Sequence, residues 1–194
     1  MSLTDAQIDR YSRQIIVPHI GGRGQERLLA ARILLVGDAR DIEAPLAYLV
    51  GAGVGTICLK LSGDQAGFTE KEKRELNADV SVTIADESES RVDLALVIIG
   101  SEGARKVADE TASNHAAHAA VIARLDALGK IVVFPDAHSP RTVDAEFGTR
   151  AEAADFIAML ATAEAFKLIA GYAENPSPAT IEFDGYETRA RVDS

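Results

Sequence analysis

The segment from Arg32 to Leu61 constrains this chain most. Arg32-Ile-Leu-Leu-Val-Gly37 is a short apolar run that ends on glycine, the pattern of a buried strand followed by a turn. Ile42 to Val50 reads as a helix closed by Gly51, Gly53 and Gly55, and Thr56 to Leu61 is a second apolar run. Strand, helix and strand at this spacing make a βαβ unit, two parallel strands joined by a right-handed crossover.

The alternation continues. Thr69 to Asn77 reads as a charged, exposed helix, and Val80 to Ala85 and Leu94 to Ile99 as strands. Ala104 to Ala117 reads as an alanine-rich helix, which places His115 and His118 three residues apart on one helix face. Ala119 to Ala123 and Ile131 to Phe134 are strands, and Pro135 to Arg141 is a loop. Ala151 to Ala170, capped by Thr149, is the strongest helix and is apolar nearly all round, so it should be covered on more than one side. Two short strands about Asp184-Gly185 close the chain. Ahead of the βαβ unit, Thr4 caps a helix to about Ile16. Pro18 and Gly21-Gly22 then break the chain, and Gln25 to Ala31 forms a second short helix.

The expected architecture is α/β, a doubly wound, Rossmann-like, mostly parallel sheet with helices on both faces. Residues 1–194 form one domain: an N-terminal two-helix arm (1–31), the core (32–134), and a C-terminal helix with an antiparallel hairpin (149–194).

Charge and cysteine content exclude several function classes. Thirty acidic against 20 basic residues give a net charge of -10, which disfavours nucleic acid as a partner. A single Cys rules out a disulfide framework and a multi-cysteine zinc site. The longest uncharged run, Ala44 to Leu59, is interrupted by glycines and too short to span a bilayer, and the first residues lack the apolar core of a signal peptide. The expectation is a cytoplasmic protein with neither a membrane nor a nucleic acid partner. The first 40 residues run against the overall balance, with six Arg and four acids. They read as a solvated basic helix or as an arm that meets an anion.

The first βα turn of such a sheet is where a nucleotide sits, and the chemistry needs bare backbone facing the phosphates. Here the turn reads Gly37-Asp38-Ala39-Arg40-Asp41-Ile42. Gly37 alone survives of G-x-G-x-x-G, and Asp38 and Asp41 set negative charge beside the intended phosphates. The acid that would hold the ribose is missing, because the second strand runs out as Lys60-Leu61-Ser62-Gly63. Dinucleotide oxidation is therefore not expected. His115 and His118 lack a third ligand, no metal site is expected, and Cys58 sits inside a buried strand where thiols are inert.

Several segments together resemble the ThiF/MoeB/HesA group, bacterial relatives of ubiquitin-activating enzymes. Arg10-Tyr-Ser-Arg-Gln-Ile-Ile16 is similar to the group's opening R-Y-x-R-Q-I. Gly24-Gln25, Leu28 and Ala31 continue it, as does Leu49-Val-Gly-Ala-Gly-Val-Gly55 against L-A-x-A-G-V-G. Val97 to Glu102 stands where the group has D-x-T-D, Gly129 to Phe134 resembles G-x-x-x-V-F, and Glu164 to Tyr172 resembles the late helix ending K-x-x-x-G. The resemblance implies adenylation of the C-terminal carboxylate of a ubiquitin-like sulfur carrier, with ATP and magnesium.

The departures fall on the chemistry. The group's G-x-G-G-x-G is the damaged turn, its D-x-D falls on Leu61 and Gly63, and the arginine-bearing segment after it is missing. The magnesium-holding acid falls on Glu102, and no C-x-x-C pair or transfer cysteine exists. The resemblance thus implies a catalytically degenerate member, with Gly37 a remnant of the nucleotide turn and Glu102 a remnant of the metal-holding acid. Arg13 matches the arginine that reaches across the dimer to the neighbouring triphosphate. Expected partners are a second copy, an intact family member, or a ubiquitin-like sulfur carrier. Three readings follow. The first is a non-catalytic partner or scaffold. The second is a weak ATP-dependent adenylyltransferase, the one case needing ATP and magnesium. The third is a module whose reshaped pocket takes another ligand.

Overall fold

The computed structural model describes residues 2–63, 77–85, 91–114, 116–126, 129–135, 153–172, 179–183 and 188–192. Two helices, α1 (Asp5–Ile15) and α2 (Gly21–Ala30), lead into β1 (Arg32–Asp38), α3 (Ala39–Ala52) and β2 (Thr56–Ser62). Then come β3 (Ser81–Ile84), β4 (Arg91–Ile99), α4 (Glu102–Asn114), β5 (Ala116–Arg124) and β6 (Lys130–Phe134). The chain finishes with α5 (Ala154–Ala170), β7 (Ala179–Phe183) and β8 (Thr188–Val192).

All eight strands form one sheet in the order β3-β2-β1-β4-β5-β6-β7-β8. The first five pair with one another in parallel, and β6, β7 and β8 are added antiparallel. Strand order reverses at β1, which pairs with β2 on one side and β4 on the other. The α/β, mostly parallel sheet with a C-terminal antiparallel pair is thus the observed fold. The βαβ unit is also as expected, with Leu34, Leu35 and Val36 at 0–1% exposure because both faces of β1 are covered.

Two hydrophobic clusters back the sheet. The larger holds Ile33, Leu35, Leu96, Ile98 and Val121 against α3 and α5, and the smaller holds Leu34, Val36, Val97 and Ile122 with Val107 and Ala108 of α4. The near-uniform apolarity of α5 is explained within the chain. It packs on α2, α3 and strands β4 to β6 and buries Ile157, Ala161, Thr162, Ala165 and Phe166. Leu46, Leu49, Val50 and Val54 are likewise fully buried. Each segment still exposes an aromatic ring, Phe156 on α5 and Tyr48 on α3, and Ile8, Ile16 and Val17 are exposed on the N-terminal arm, with Ile16 78% exposed.

The arm is held by a buried polar clip. Thr4 caps α1, as its sequence predicts, and the structure adds a capping box with Gln7. Tyr11 is 1% exposed, and its hydroxyl donates to Asp79 Oδ2 at 3.0 Å and accepts from Asn77 Nδ2 at 2.9 Å. Asn77 Nδ2 also donates to the Val50 carbonyl at 2.8 Å, and Arg10 pairs with Asp79 at 3.2 Å. The Tyr11 ring lies on Gly53, whose φ of 83° ends α3 and where a Cβ would come within 2.6 Å of the ring.

Several expected boundaries are corrected. The helix placed at Ala104 to Ala117 is α4, ending at Asn114, and Ala116 already begins β5. His118 is therefore on a strand, and His115 lies outside the described residues. Alanine favours helix, but pairing of β5 with β4 along Arg91↔Ala116 to Ile99↔Arg124 overrides that propensity. The helix expected from Ala151 starts at Ala154, with Ala153 as its cap and no side-chain capping bond, and Thr149, the expected cap, lies outside the described residues. The second helix, expected from Gln25, already begins at Gly21, and the break ahead of it is made by positive φ at His19 and Gly21. α3 runs from Ala39 to Ala52, longer than expected at both ends. The helix expected at Thr69 to Asn77 lies outside the described residues except for Asn77, which is not helical, and the loop after Pro135 lies outside them as well. Among the described residues, no helix is long and apolar enough to cross a membrane.

Candidate nucleotide crevice

In an open parallel sheet, ligands bind beyond the carboxyl ends of the strands where strand order reverses. Here that point lies between β1 and β4, beside Gly37, Asp38, Ser62 and Ser101.

Gly37 is buried at the end of β1. A Cβ there would come within 2.8 Å of both the Ile98 carbonyl oxygen of β4 and the Ile42 side chain. Glycine at this position is thus required by close packing of β1, β4 and α3. Ile42, at 0% exposure, fills the space against it. α3 begins immediately after Asp38, which is its N-cap residue yet makes no side-chain bond to the helix. Instead the Asp38 carboxylate accepts a hydrogen bond from Ser62 Oγ at the end of β2. Asp41, 5% exposed, adds a second carboxylate in the first turn of α3. Acids at a helix N-terminus stabilise the helix. They also set negative charge beside the place where such an end would bind an anion. A phosphate at about 4 Å from either carboxylate would meet a repulsion of about 4 kcal/mol at an effective dielectric of about 20.

The metal side of the crevice is no better supplied. Ser101 Oγ accepts the Ala104 amide at 3.1 Å and so caps the start of α4. Glu102 follows it, exposed and paired with Arg105 at 3.2 Å across one helical turn. Among the described residues, no group of three or more His, Cys, Asp or Glu could hold a metal ion. The described residues of the crevice therefore do not fit Mg-ATP.

Arg13 stands in the last turn of α1, exposed and without an ion-pair partner among the described residues. Asp9 does not hold it, and Arg10 takes the local carboxylate, Asp79. The crevice does not include Arg13. Cys58 is fully buried in β2, where its Sγ accepts from Thr83 Oγ1 at 3.8 Å. His118 pairs with Arg91 on the opposite edge of the sheet.

Two groups at the crevice edge were not read from the sequence. One is the Asp38–Ser62 bond, whose partners are 24 positions apart. The other is the ion pair of Arg124 and Asp126 just past β5, with Nε to Oδ2 at 2.9 Å. Asp126 is 5% exposed and its Oδ1 has no hydrogen-bond partner. The Leu125 amide donates to the Ile99 carbonyl, which sets this pair beside the end of β4.

No family model matches the chain. Its relatives include the adenylyltransferase and sulfurtransferase uba4 of Aspergillus terreus, 42% identical over 81 residues, or 41% of this chain and 16% of that protein. The sulfur carrier protein adenylyltransferase of Thermus thermophilus is 48% identical over 58 residues, 29% of this chain and 21% of that protein. The matches therefore span less than a quarter of these relatives. In structure, the chain is similar to E. coli MccB solved with ATP, with a TM-score of 0.66 and 16% identity over 97% of this chain and 72% of that one. The resemblance to the ThiF/MoeB/HesA group is carried in sequence by these named relatives, and the same fold is present over nearly the whole chain.

Proposed function

We propose that this chain is a degenerate ThiF/MoeB/HesA-type domain that works as the non-catalytic partner of an intact member in activating a sulfur-carrier protein. The observation that carries this reading is the crevice at the strand-order reversal. Asp38, held by Ser62, and Asp41 set carboxylates where a triphosphate needs donors, and Ile42 fills the packing space. Adenylation depends on holding phosphates and offsetting their charge as a pentacoordinate centre forms. A site with this charge does neither.

The arm supports a role toward a second subunit. Arg13 is exposed beside Ile16 and Val17, and the Tyr11 clip fixes the helix that carries it. A guanidinium keeps its charge at all relevant pH and matches phosphate oxygens with a planar fork. In this reading, Arg13 completes the partner's triphosphate site. The relatives' names favour a second reading, in which the chain is itself a weak ATP-dependent adenylyltransferase.

Pyrophosphate exchange separates the two. The chain should show no exchange with a sulfur carrier alone. Mixed with an intact adenylyltransferase that it binds, the wild type should support faster exchange than Arg13→Ala by roughly ten- to a thousand-fold, with assembly unchanged. Exchange by the chain alone would establish the second reading. An unchanged rate in assembled Arg13→Ala would remove Arg13 from the site.

A further inference from the structure

At the opposite, amino-terminal edge of the strands lies an open pocket of about 450 Å³. That volume suits one small molecule. Its apolar wall is made by Ala30, Ala31, Leu94, Ala119, Leu168 and Ile169. Three polar groups stand around it: Arg27, Asp93 and His118.

The backbone is arranged to put two of these groups there. Residues two apart on a strand share a face. Val92 nevertheless packs in the smaller cluster and Leu94 in the larger, and Ala117 and Ala119 divide in the same way. The ladder pairs Val92 with Ala117 and Leu94 with Ala119, so both strands turn over at the same level, at Asp93 and His118. A paired irregularity of this kind re-aims side chains.

Each polar group has a defined capacity. Nε and Nη2 of Arg91 reach His118 Nε2 at 3.1 and 2.7 Å. A guanidinium only donates, so Nε2 accepts and the ring carries its proton on Nδ1, leaving a donor there. Arg27 donates one Nη1 bond, to the Ala170 carbonyl at 3.3 Å, out of its five N–H groups. Asp93 Oδ2 accepts the Arg32 amide at 2.8 Å, and the carboxylate has further lone pairs. The last turns of α2 and α5 both border the pocket, which adds partial negative charge beside Asp93.

We infer that this pocket binds a zwitterionic, apolar α-amino acid. Arg27 and His118 hold the carboxylate, Asp93 with the two helix ends holds the ammonium, and the alanine, leucine and isoleucine wall takes the side chain. A simple fatty acid would face Asp93 unpaired, and a simple amine would leave Arg27 and His118 unmatched. The pocket lies at the other end of the sheet from the nucleotide crevice, so the inference does not depend on how that crevice is read.

The test is titration calorimetry of the full chain with L-leucine, isocaproate and isoamylamine, which share one hydrocarbon tail. Leucine should bind saturably at millimolar concentration or below, and each analogue about tenfold or more weaker, the effect of losing one charge-assisted contact. Asp93→Asn retains an acceptor for the Arg32 amide and should lower leucine affinity about tenfold with an unchanged melting curve. Absence of saturable leucine binding, equal binding of the three probes, or unchanged leucine affinity in Asp93→Asn would overturn the inference.

Discussion

Removing the Tyr11 hydroxyl tests how the arm is held. Tyr11→Phe keeps the ring against Gly53 and deletes the bond to Asp79 at 3.0 Å and the one from Asn77 at 2.9 Å. Asn77 Nδ2 retains the Val50 carbonyl, and Asp79 retains Arg10, so neither partner is orphaned. The loss is then close to that of one hydrogen bond to a charged acceptor, about 2 kcal/mol. For a chain of this size that lowers Tm by about 4–8 °C. The same residue gives a pH signature. Burial raises the Tyr11 phenol above its ordinary 10.0, the Asn77 hydrogen bond opposes this, and the Asp79 bond and charge push it further up. Tyr11 is therefore neutral in the folded state where the unfolded chain has already ionised. Its contribution is complete below about pH 10 and is lost as pH rises through the raised value. Urea denaturation at stepped pH should show a falling alkaline limb in the wild type and a flatter one in Tyr11→Phe. A loss below about 0.5 kcal/mol with the alkaline limb unchanged would refute the clip.

Gly53→Ala, which sets a methyl on the Tyr11 ring at positive φ, should destabilise by about 1–3 kcal/mol in denaturant titration. Ile42→Ala should cost about 2–5 kcal/mol and still confer no ATP affinity, since Asp38 and Asp41 remain. Cys58, fully buried, should react with an aromatic disulfide reagent only as fast as the chain opens, and at once in denaturant. Arg13→Ala should leave the melting curve of the isolated chain unchanged within about 1 °C, because the exposed guanidinium has no ion pair among the described residues.

Hydrophobic runs made the parallel sheet legible, because strands such as β1 are buried on both faces and cannot alternate. The Thr4 cap and the two strands flanking Asp184-Gly185 were legible because their signals are local in the sequence. What failed was decided by distant pairing. Ala116 to Ala120 look helical in isolation and become strand only because β4 lies alongside. The apolar faces of α5 and of Leu46 to Val54 are mostly covered by other parts of the same chain, contacts that only the fold reveals, while Phe156 and Tyr48 stay exposed. At the crevice, the damage to the glycine turn was readable from Asp38, Asp41 and Ile42. The Asp38–Ser62 bond, the role of Gly37 in packing and the Arg124–Asp126 pair were not, since their partners come together only through the sheet.

Calorimetric titration of the full chain with Mg-ATP tests the closed crevice most directly. With carboxylates at Asp38 and Asp41 and the Ile42 side chain packed against Gly37, no saturable heat is expected at micromolar nucleotide. Saturation in that range, followed by pyrophosphate exchange when a sulfur carrier is added, would contradict the account.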